Sequence, residues 1–199
     1  MRVAHAVVLT LTAAAAALAL AEALPPPTSW LEREHPVVWN RPGVAVPDAP
    51  PPRGDAANSE RCRSVTRAAT LAGDRSVVAK GWTLFGPGQV FGETEVLLAA
   101  SGVDGMCRPL GFQGFVWVDG KLAGTISPGL MDSRTDGAAG LVQLRSTDRL
   151  EVEFARYTPA DPLCCPSRVT SVSYRVQRTP SGPVLLATEA RTSPAAPPR

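Results

Sequence analysis

Histidine and lysine are both scarce in this chain of 199 residues. The two histidines are His5 and His35, and the two lysines are Lys80 and Lys121. Because His5 lies in an apolar N-terminal stretch that we expect to be removed, His35 is the one histidine left for catalysis. It lies in a proline-rich segment, where no rigid element would place it as the base of a Ser-His-Asp or Cys-His arrangement. We therefore expect His35 to be a surface residue.

An excess of charge of either sign is also absent. Twenty Lys and Arg against eighteen Asp and Glu leave a formal net charge of +2, and the basic residues do not cluster. A nucleic-acid-binding surface needs clustered cations to displace the counterions of the phosphates. No glycine-rich phosphate loop follows a strand-like run either. We therefore expect no nucleic acid among the partners.

Residues 1–23 have the pattern of a secretory signal peptide. Arg2 supplies a positive charge, residues 6–21 are apolar apart from two threonines, and small residues precede two cleavage points. The apolar run is short for a transmembrane helix, which needs about 20 residues, so we expect cleavage before Glu22 or Leu24. We expect no membrane span after the signal is removed. An uncleaved anchor is the alternative. The predicted location is outside the cytoplasm: periplasmic, associated with the cell envelope, or secreted.

Residues 24–58 form a proline-rich segment that we interpret as a linker. Proline fixes φ and has no N–H to donate, so neither a helix nor a central strand forms readily here. A semi-rigid, polyproline-like spacer is the expected conformation. Trp30 and Trp39 stand out as an apolar island, and we expect their rings to be partly buried on the domain surface. The alternative is a docking peptide for another protein.

Residues 59–190 predict an antiparallel β domain preceded by one short helix, which is a mainly β (α+β) fold. The helix is expected from about residue 60 to residue 72 because of its apolar spacing. Asn58 or Ser59 would cap its start, and Gly73 would end it.

From residue 76 to about 188 apolar runs alternate with turn signals, which is typical of β-strands. Asp119-Gly120 predicts a two-residue hairpin turn, because a type I′ turn needs positive φ at both central residues. Gly86-Pro87-Gly88 predicts a break between the first two runs. Residues 191–199 are rich in Pro and Ala and predict a disordered tail. The expected runs are 76–85, 91–100, 115–118, 121–126, 141–144, 150–154, 172–176 and 184–186.

A hairpin and a double-cysteine loop carry a resemblance to a known family. The hairpin contains Asp119-Gly120 and Gly124-Thr125, and the loop contains Asp-Pro-Leu-Cys-Cys-Pro-Ser at 161–167. On these pieces, residues 115–176 resemble the LppP/LprE lipoprotein family of bacterial envelope proteins. The resemblance implies an exported, β-rich protein with no established enzymatic activity. This sequence departs from the family because its first cysteine is Cys62, so we expect no lipid on a cysteine at the cleavage site.

The four cysteines are Cys62, Cys107, Cys164 and Cys165. An exported chain with an even number of cysteines is expected to pair them. We expect no Cys164–Cys165 bridge, because it would close a strained ring. Two pairings stay open: Cys62–Cys164 with Cys107–Cys165, or Cys62–Cys165 with Cys107–Cys164. Zinc held by the four thiolates is the alternative, although adjacent cysteines fit tetrahedral coordination poorly.

Other candidate chemistry is limited to carboxylates. Glu151 and Glu153 share one face of a strand, which fits a solvated face better than a catalytic pair. Asp104, Asp132 and Asp136 lie in loops without the full ligand spacing of a calcium site. We predict no catalytic residue, cofactor or metal. The expected function is that of a non-enzymatic exported protein of the cell envelope or periplasm, which binds or supports an unknown envelope component. The alternative is an exported carboxylate-dependent hydrolase.

Overall fold

A computed structural model describes residues 29–196 and consists mainly of antiparallel β-strands. The predicted signal peptide, residues 1–23, lies outside the described residues. The helices are α1 (Ala56–Arg61) and α2 (Ala72–Val78), with 3-10 turns at Trp30–Glu32 and Arg63–Val65. The strands are β1 (Thr83–Phe91), β2 (Thr94–Val103), β3 (Pro109–Val118), β4 (Lys121–Thr125), β5 (Ala139–Leu144), β6 (Arg149–Arg156), β7 (Arg168–Thr179) and β8 (Gly182–Pro194).

The strands form two sheets of four. The first sheet has the order β1-β2-β3-β4 and the second has the order β5-β6-β7-β8, so each is a meander of sequence neighbours. Every pairing within them is antiparallel. The predicted mainly β, antiparallel fold is therefore confirmed. Among residues 29–196, no helix combines the length and the apolar character needed to cross a membrane.

The main core lies between the two sheets and follows from the period of two along each strand. On β6, Leu150, Val152 and Phe154 are buried, whereas Glu151 and Glu153 between them are exposed. Side chains from both sheets join this core. A strand with one apolar and one polar face buries the apolar face by packing on a second sheet.

A second core covers the opposite face of the first sheet. Val77 of α2 and Trp82 pack there against Leu97, Phe115 and Trp117, all of which are buried. The first sheet is therefore apolar on both faces. The outer face of the second sheet carries the exposed side chains of β6 and β7.

The edges of the two sheets are tied together by side chains. Gln89 of β1 donates to the carbonyl of Val142 at 2.7 Å and accepts from the N–H of Leu144 at 2.8 Å, so its amide pairs with β5 as a strand would. At the other edge β4 lies beside β8. The buried Asn40 amide donates there to the carbonyls of Thr125 and Leu185, both at 3.0 Å. These contacts satisfy backbone groups that an open edge would leave unpaired.

The hairpin predicted at Asp119-Gly120 is present between β3 and β4. Asp119 has φ of 50° and Gly120 has φ of 69°, as a type I′ turn requires. The break predicted at Gly86-Pro87-Gly88 was wrong. These residues lie inside β1, where the register with β2 shifts between Phe85 and Gln89. Proline is tolerated at this bulge because β1 is an edge strand.

The single helix predicted at 60–72 was also wrong. The chain turns through α1 and the second 3-10 turn, and is then extended up to α2. Thr66 forms an isolated bridge with Phe85, which holds the extended stretch against β1. Gly73, expected as a helix end, lies in α2 instead, where an added Cβ would be 2.7 Å from the Trp117 ring. Tertiary contacts therefore override the helix propensity of the alanine-rich stretch.

The proline-rich segment is attached to the sheets over the part that the structure describes. Trp30 and Trp39 contact each other edge to face, with ring centroids 5.0 Å apart, and both pack against the main core. Further along, the Trp82 indole donates to the carbonyl of Pro47 at 2.8 Å. The partly buried rings agree with the interpretation of Trp30 and Trp39 as surface packing. At the other end of the chain, β8 continues to Pro194, so the disordered tail predicted from residue 191 is corrected for residues 191–194.

Candidate functional site: the loop between β6 and β7

The loop of residues 157–167 connects β6 to β7 at one end of the second sheet. It contains both adjacent cysteines. The cross-strand pair Arg156 and Arg168 closes it, so the loop leaves and re-enters the sheet at a defined point. On the β8 side, Ala195 donates its N–H to the carbonyl of Ser167 at 2.9 Å. The loop therefore starts and ends on hydrogen-bonded strands.

Arg156 anchors the base of the loop. Its side chain is buried, and its guanidinium donates to Glu32 at 2.6 Å and to Asp136 at 3.0 Å. Burial alone would lower the pKa of Arg156, but its hydrogen bonds to Asp136 and Glu32 outweigh burial and raise it. The same Asp136 oxygen accepts from the N–H of Tyr157 at 2.8 Å. A permanently charged arginine thus joins the N-terminal segment, the β4–β5 connection and the first loop residue.

Asp161 holds the loop together from within. Its carboxylate accepts from the N–H and hydroxyl of Thr158 at 2.8 and 2.9 Å, and from the N–H and hydroxyl of Ser167 at 3.0 and 2.8 Å. The backbone N–H groups of Thr158 and Ser167 are the main reason that the pKa of Asp161 lies well below its usual range. The carboxylate is therefore ionised at neutral pH and connects the two ends of the loop.

The tip of the loop is apolar and exposed. Leu163 is 70% exposed, Cys164 is exposed, and Cys165 is half-buried. The Tyr157 hydroxyl donates to the carbonyl of Leu163 at 3.1 Å, and the N–H of Cys165 donates to the carbonyl of Pro162 at 2.9 Å. The backbone beneath the exposed side chains is therefore held by hydrogen bonds on both sides.

The cysteines pair differently from both expected arrangements. Cys62 is bonded to Cys107, with Cα atoms 5.2 Å apart, and Cys164 is bonded to Cys165. Both expected pairings are wrong, and the Cys164–Cys165 bridge, which was not expected, is present. Cys62 reaches Cys107 because α1 packs beside the β2–β3 turn, where the guanidinium of Arg61 donates to the carbonyl of Gly105 at 2.8 Å.

These two disulfides have different structural roles. Cys62 is fully buried, and its bond to Cys107 spans 45 positions of sequence. By chain entropy, closing a loop of that length stabilises the fold by about 4 kcal/mol. The bond between Cys164 and Cys165 joins neighbours, so it constrains almost none of the unfolded chain. Its presence in an exposed loop calls for an explanation other than stability.

The β6–β7 loop lies in a segment of the chain that matches a known protein family. Residues 91–179 match the LppP/LprE lipoprotein family. The matched segment runs from the end of β1 to the end of β7, and it contains Cys107 and the whole β6–β7 loop. The resemblance seen over residues 115–176 is confirmed and extends further towards the N-terminus. Comparisons with curated proteins and with solved structures found no match to this chain.

Of the acidic residues considered from the sequence, Asp136 is the one that contacts the LppP/LprE-like loop. Glu151 and Glu153 line a groove of about 180 Å³ on the outer face of the second sheet. Both project from the same strand into solvent, and Glu151 pairs with Arg145 at 2.8 Å. The two carboxylates therefore do not face each other across a cleft. His35 lies elsewhere, in the N-terminal segment, where its Nδ1 is 2.9 Å from the carbonyl of Arg33.

The loop aspartates considered for calcium are engaged by cations and backbone N–H groups. Asp104 pairs with Arg108, and Asp132 pairs with Arg53 and accepts from the N–H of Gly111 at 2.7 Å. Within residues 29–196 no three His, Cys, Asp or Glu side chains come together as metal ligands. All four cysteine sulfurs lie in disulfides, an arrangement different from the zinc alternative.

Two residues of the site were missed from the sequence, although both left a signal. Arg156 continues the alternation of Leu150, Val152 and Phe154, which places it on the buried face of β6. An arginine at such a position needs acidic or hydrogen-bonding partners. Asp161 lies three residues after Thr158, the spacing at which a side chain commonly accepts from a nearby backbone N–H.

Proposed function

We propose that this is an exported, non-enzymatic protein of the cell envelope, which binds another envelope component through the tip of its β6–β7 loop. The match to a lipoprotein family indicates an exported cell-envelope protein. One observation supports binding through the loop: the exposed Leu163 is presented on a backbone that Asp161 and Tyr157 hold in place. The candidate partner has an apolar pocket that accepts this leucine and the adjoining disulfide.

The β6–β7 loop is preorganised for binding. Ordering a flexible loop during binding costs affinity, and a loop that is ordered beforehand avoids that cost. The hydrogen bonds of Asp161 and the prolines at positions 162 and 166 restrict this loop before a partner arrives. An apolar side chain held outward in this way gains its burial energy only when a partner covers it.

No particular observation favours the hydrolase alternative. Carboxylate catalysis needs two acids on either side of a bound substrate. Glu151 and Glu153 lie on one strand of an open face, and Glu151 is paired with an arginine. We therefore propose binding rather than hydrolysis.

The test is capture from the envelope fraction of the native host with matched variants. The purified mature domain should retain a defined partner, and Leu163→Asp should lose it. Leu141→Asp serves as the control, because Leu141 is a 48% exposed leucine on strand β5, outside the β6–β7 loop. Equal capture by both variants would show that the loop tip is not the binding surface.

A further inference from the structure

We propose that the Cys164–Cys165 bond is a site of thiol–disulfide exchange, at which a dithiol reductant opens the disulfide without unfolding the domain. The proposal concerns the covalent chemistry of the loop and does not depend on which component the tip binds. It rests on the access to the bond, on the bracing of the loop around it, and on the contrast with the second disulfide.

The loop tip that carries the Cys164–Cys165 bond is exposed. Exchange requires a thiolate to reach a sulfur, and exposed disulfides are therefore the labile ones. Cys164 is exposed at the loop tip between the exposed Leu163 and the half-buried Cys165. Cys164 is therefore the more exposed residue of the pair, and we expect an approaching thiol to attack its sulfur.

The loop does not need the bond to keep its shape. Asp161 connects Thr158 to Ser167 across the base of the loop, and Tyr157 holds the carbonyl of Leu163. None of these hydrogen bonds uses a sulfur atom. Because the disulfide joins adjacent residues, opening it also restores little freedom to the unfolded chain. Reduction is therefore expected to leave the fold and its stability nearly unchanged.

The other disulfide provides an internal contrast. Cys62 is fully buried and Cys107 is half-buried, so a reductant reaches their bond only after α1 and the β2–β3 turn separate. A buried disulfide reacts only in molecules that have opened locally or globally, and these open molecules are a minor population under native conditions. One chain thus carries one protected disulfide and one accessible disulfide.

The reaction balances as an ordinary exchange. A thiolate of the dithiol reductant attacks the Cys164 sulfur, the bond between Cys164 and Cys165 breaks, and Cys165 leaves as a thiolate that takes up a proton. The second thiol of the reductant then attacks the mixed disulfide and releases Cys164. The loop disulfide gains two electrons and two protons, and the dithiol is oxidised to its own disulfide.

The experiment is timed reduction of the folded, fully oxidised protein with dithiothreitol. Samples are quenched with acid and alkylated, and each cysteine is quantified by peptide mapping. We expect alkylation at Cys164 and Cys165 to exceed that at Cys62 and Cys107 at least about tenfold at early times. The reason is that the buried pair reacts only after the surrounding structure opens. Far- and near-ultraviolet circular dichroism should be unchanged at that stage.

A second measurement uses a monothiol to locate the attacked sulfur. Brief treatment with glutathione, followed by fragmentation between the two cysteines, should place the first adduct on Cys164. Reduction of both pairs at one common rate, or reduction of the loop pair only in denaturant, would overturn the proposal. Loss of the native circular dichroism in step with loop reduction would also overturn it. Wild-type protein suffices for all of these measurements, so no variant has to fold.

Discussion

Two aspartates fix the conformation of chain segments that have no regular backbone hydrogen bonds. Asp161 connects the two ends of the β6–β7 loop, and the buried Asp74 holds the stretch before α2. Asp74 accepts from the N–H groups of Thr70 and Leu71 and forms two 2.6 Å hydrogen bonds with the guanidinium of Arg67. In both cases an ionised carboxylate satisfies N–H groups that no strand or helix partner serves.

Replacing Asp161 by Asn should loosen the loop without unfolding the domain. The amide cannot accept from Thr158 and Ser167 as the ionised carboxylate does. Hydrogen exchange should therefore speed up at the N–H groups of these two residues, and the melting temperature should stay within about 2 °C of the wild-type value. Glu153→Gln, on the outer face of β6, is the control and should change neither. Unchanged exchange in Asp161→Asn would show that the carboxylate does not brace the loop.

Replacing Asp74 by Asn should destabilise the whole domain by about 3 kcal/mol, because a charged partner is left in a partly buried site. Burial raises the pKa of Asp74, but the hydrogen bonds from Arg67, Leu71 and Thr70 outweigh it and lower the pKa to about 2.

This lowered pKa also predicts a pH dependence. Folding lowers the pKa of Asp74 from its ordinary value of 3.8. The ionised carboxylate therefore makes its full contribution to the free energy of unfolding above pH 3.8, and this contribution disappears as the pH falls through about 2. Denaturant unfolding at a series of pH values should show a smaller loss of stability over this range in the variant than in the wild type. Asp119→Asn in the exposed β3–β4 turn is the control. Parallel curves for Asp74→Asn and wild type would contradict this account.

At the scale of elements, the Cys62–Cys107 bond should carry most of the stabilisation by disulfides. Replacing both residues by Ala should cost about 4 kcal/mol by chain entropy. That loss corresponds to a melting temperature lower by roughly 8–16 °C for a domain of this size. The pair of changes Cys164→Ala and Cys165→Ala is the matched comparison and should lower it far less. Equal losses from the two double variants would contradict the assignment of roles.

The elements that could be predicted from the sequence are those that local patterns determine. Alternation predicted the run Leu150–Phe154 on β6, and Asp119-Gly120 predicted the β3–β4 hairpin, because both depend on residues close together in the chain. The helix at 60–72 was wrong because Thr66 pairs with a strand some 20 positions away. Gly73 resembles a helix end in sequence, but it is needed for the close approach of Trp117.

The candidate site was predictable only in part, for the same reason. The segment 161–167 stood out because of its adjacent cysteines and prolines. The partner of each cysteine depends on how α1 packs on the β2–β3 turn, which no local pattern encodes. The anchoring of Arg156 depends on Glu32, which is 124 positions away in sequence. Pairs this distant become visible only in the folded structure.

At the scale of the whole molecule, the N-terminal segment braces both sheets. The Trp39 indole donates to the carbonyl of Thr125 on β4 at 3.1 Å, and its ring packs edge to face on Tyr174 of β7. The Trp30 ring packs edge to face on Phe154 of β6, with centroids 5.2 Å apart. Residues that had the composition of a spacer therefore contribute to the main core.

Replacing Trp39 by Ala should accordingly destabilise the domain by about 2 kcal/mol, because a partly buried aromatic side chain that packs against the core is removed. Val38→Ala is the control, since Val38 is 64% exposed beside it. Thermal unfolding compares the two variants. If Trp39→Ala unfolds at the wild-type temperature, the tryptophan does not stabilise the fold, and the alternative of a docking peptide for another protein gains support.

Binding through the loop tip is tested directly by photo-crosslinking from position 163 in cells of the native host. A photoreactive amino acid at position 163 should give a discrete adduct in the envelope fraction, because Leu163 is expected to lie in the pocket of a partner. The same amino acid at position 106 is the control, since Met106 is 66% exposed on the β2–β3 turn. We expect an adduct from position 163 that is weakened by Asp161→Asn and absent from position 106. No adduct from position 163, or the same adducts from both positions, would contradict it.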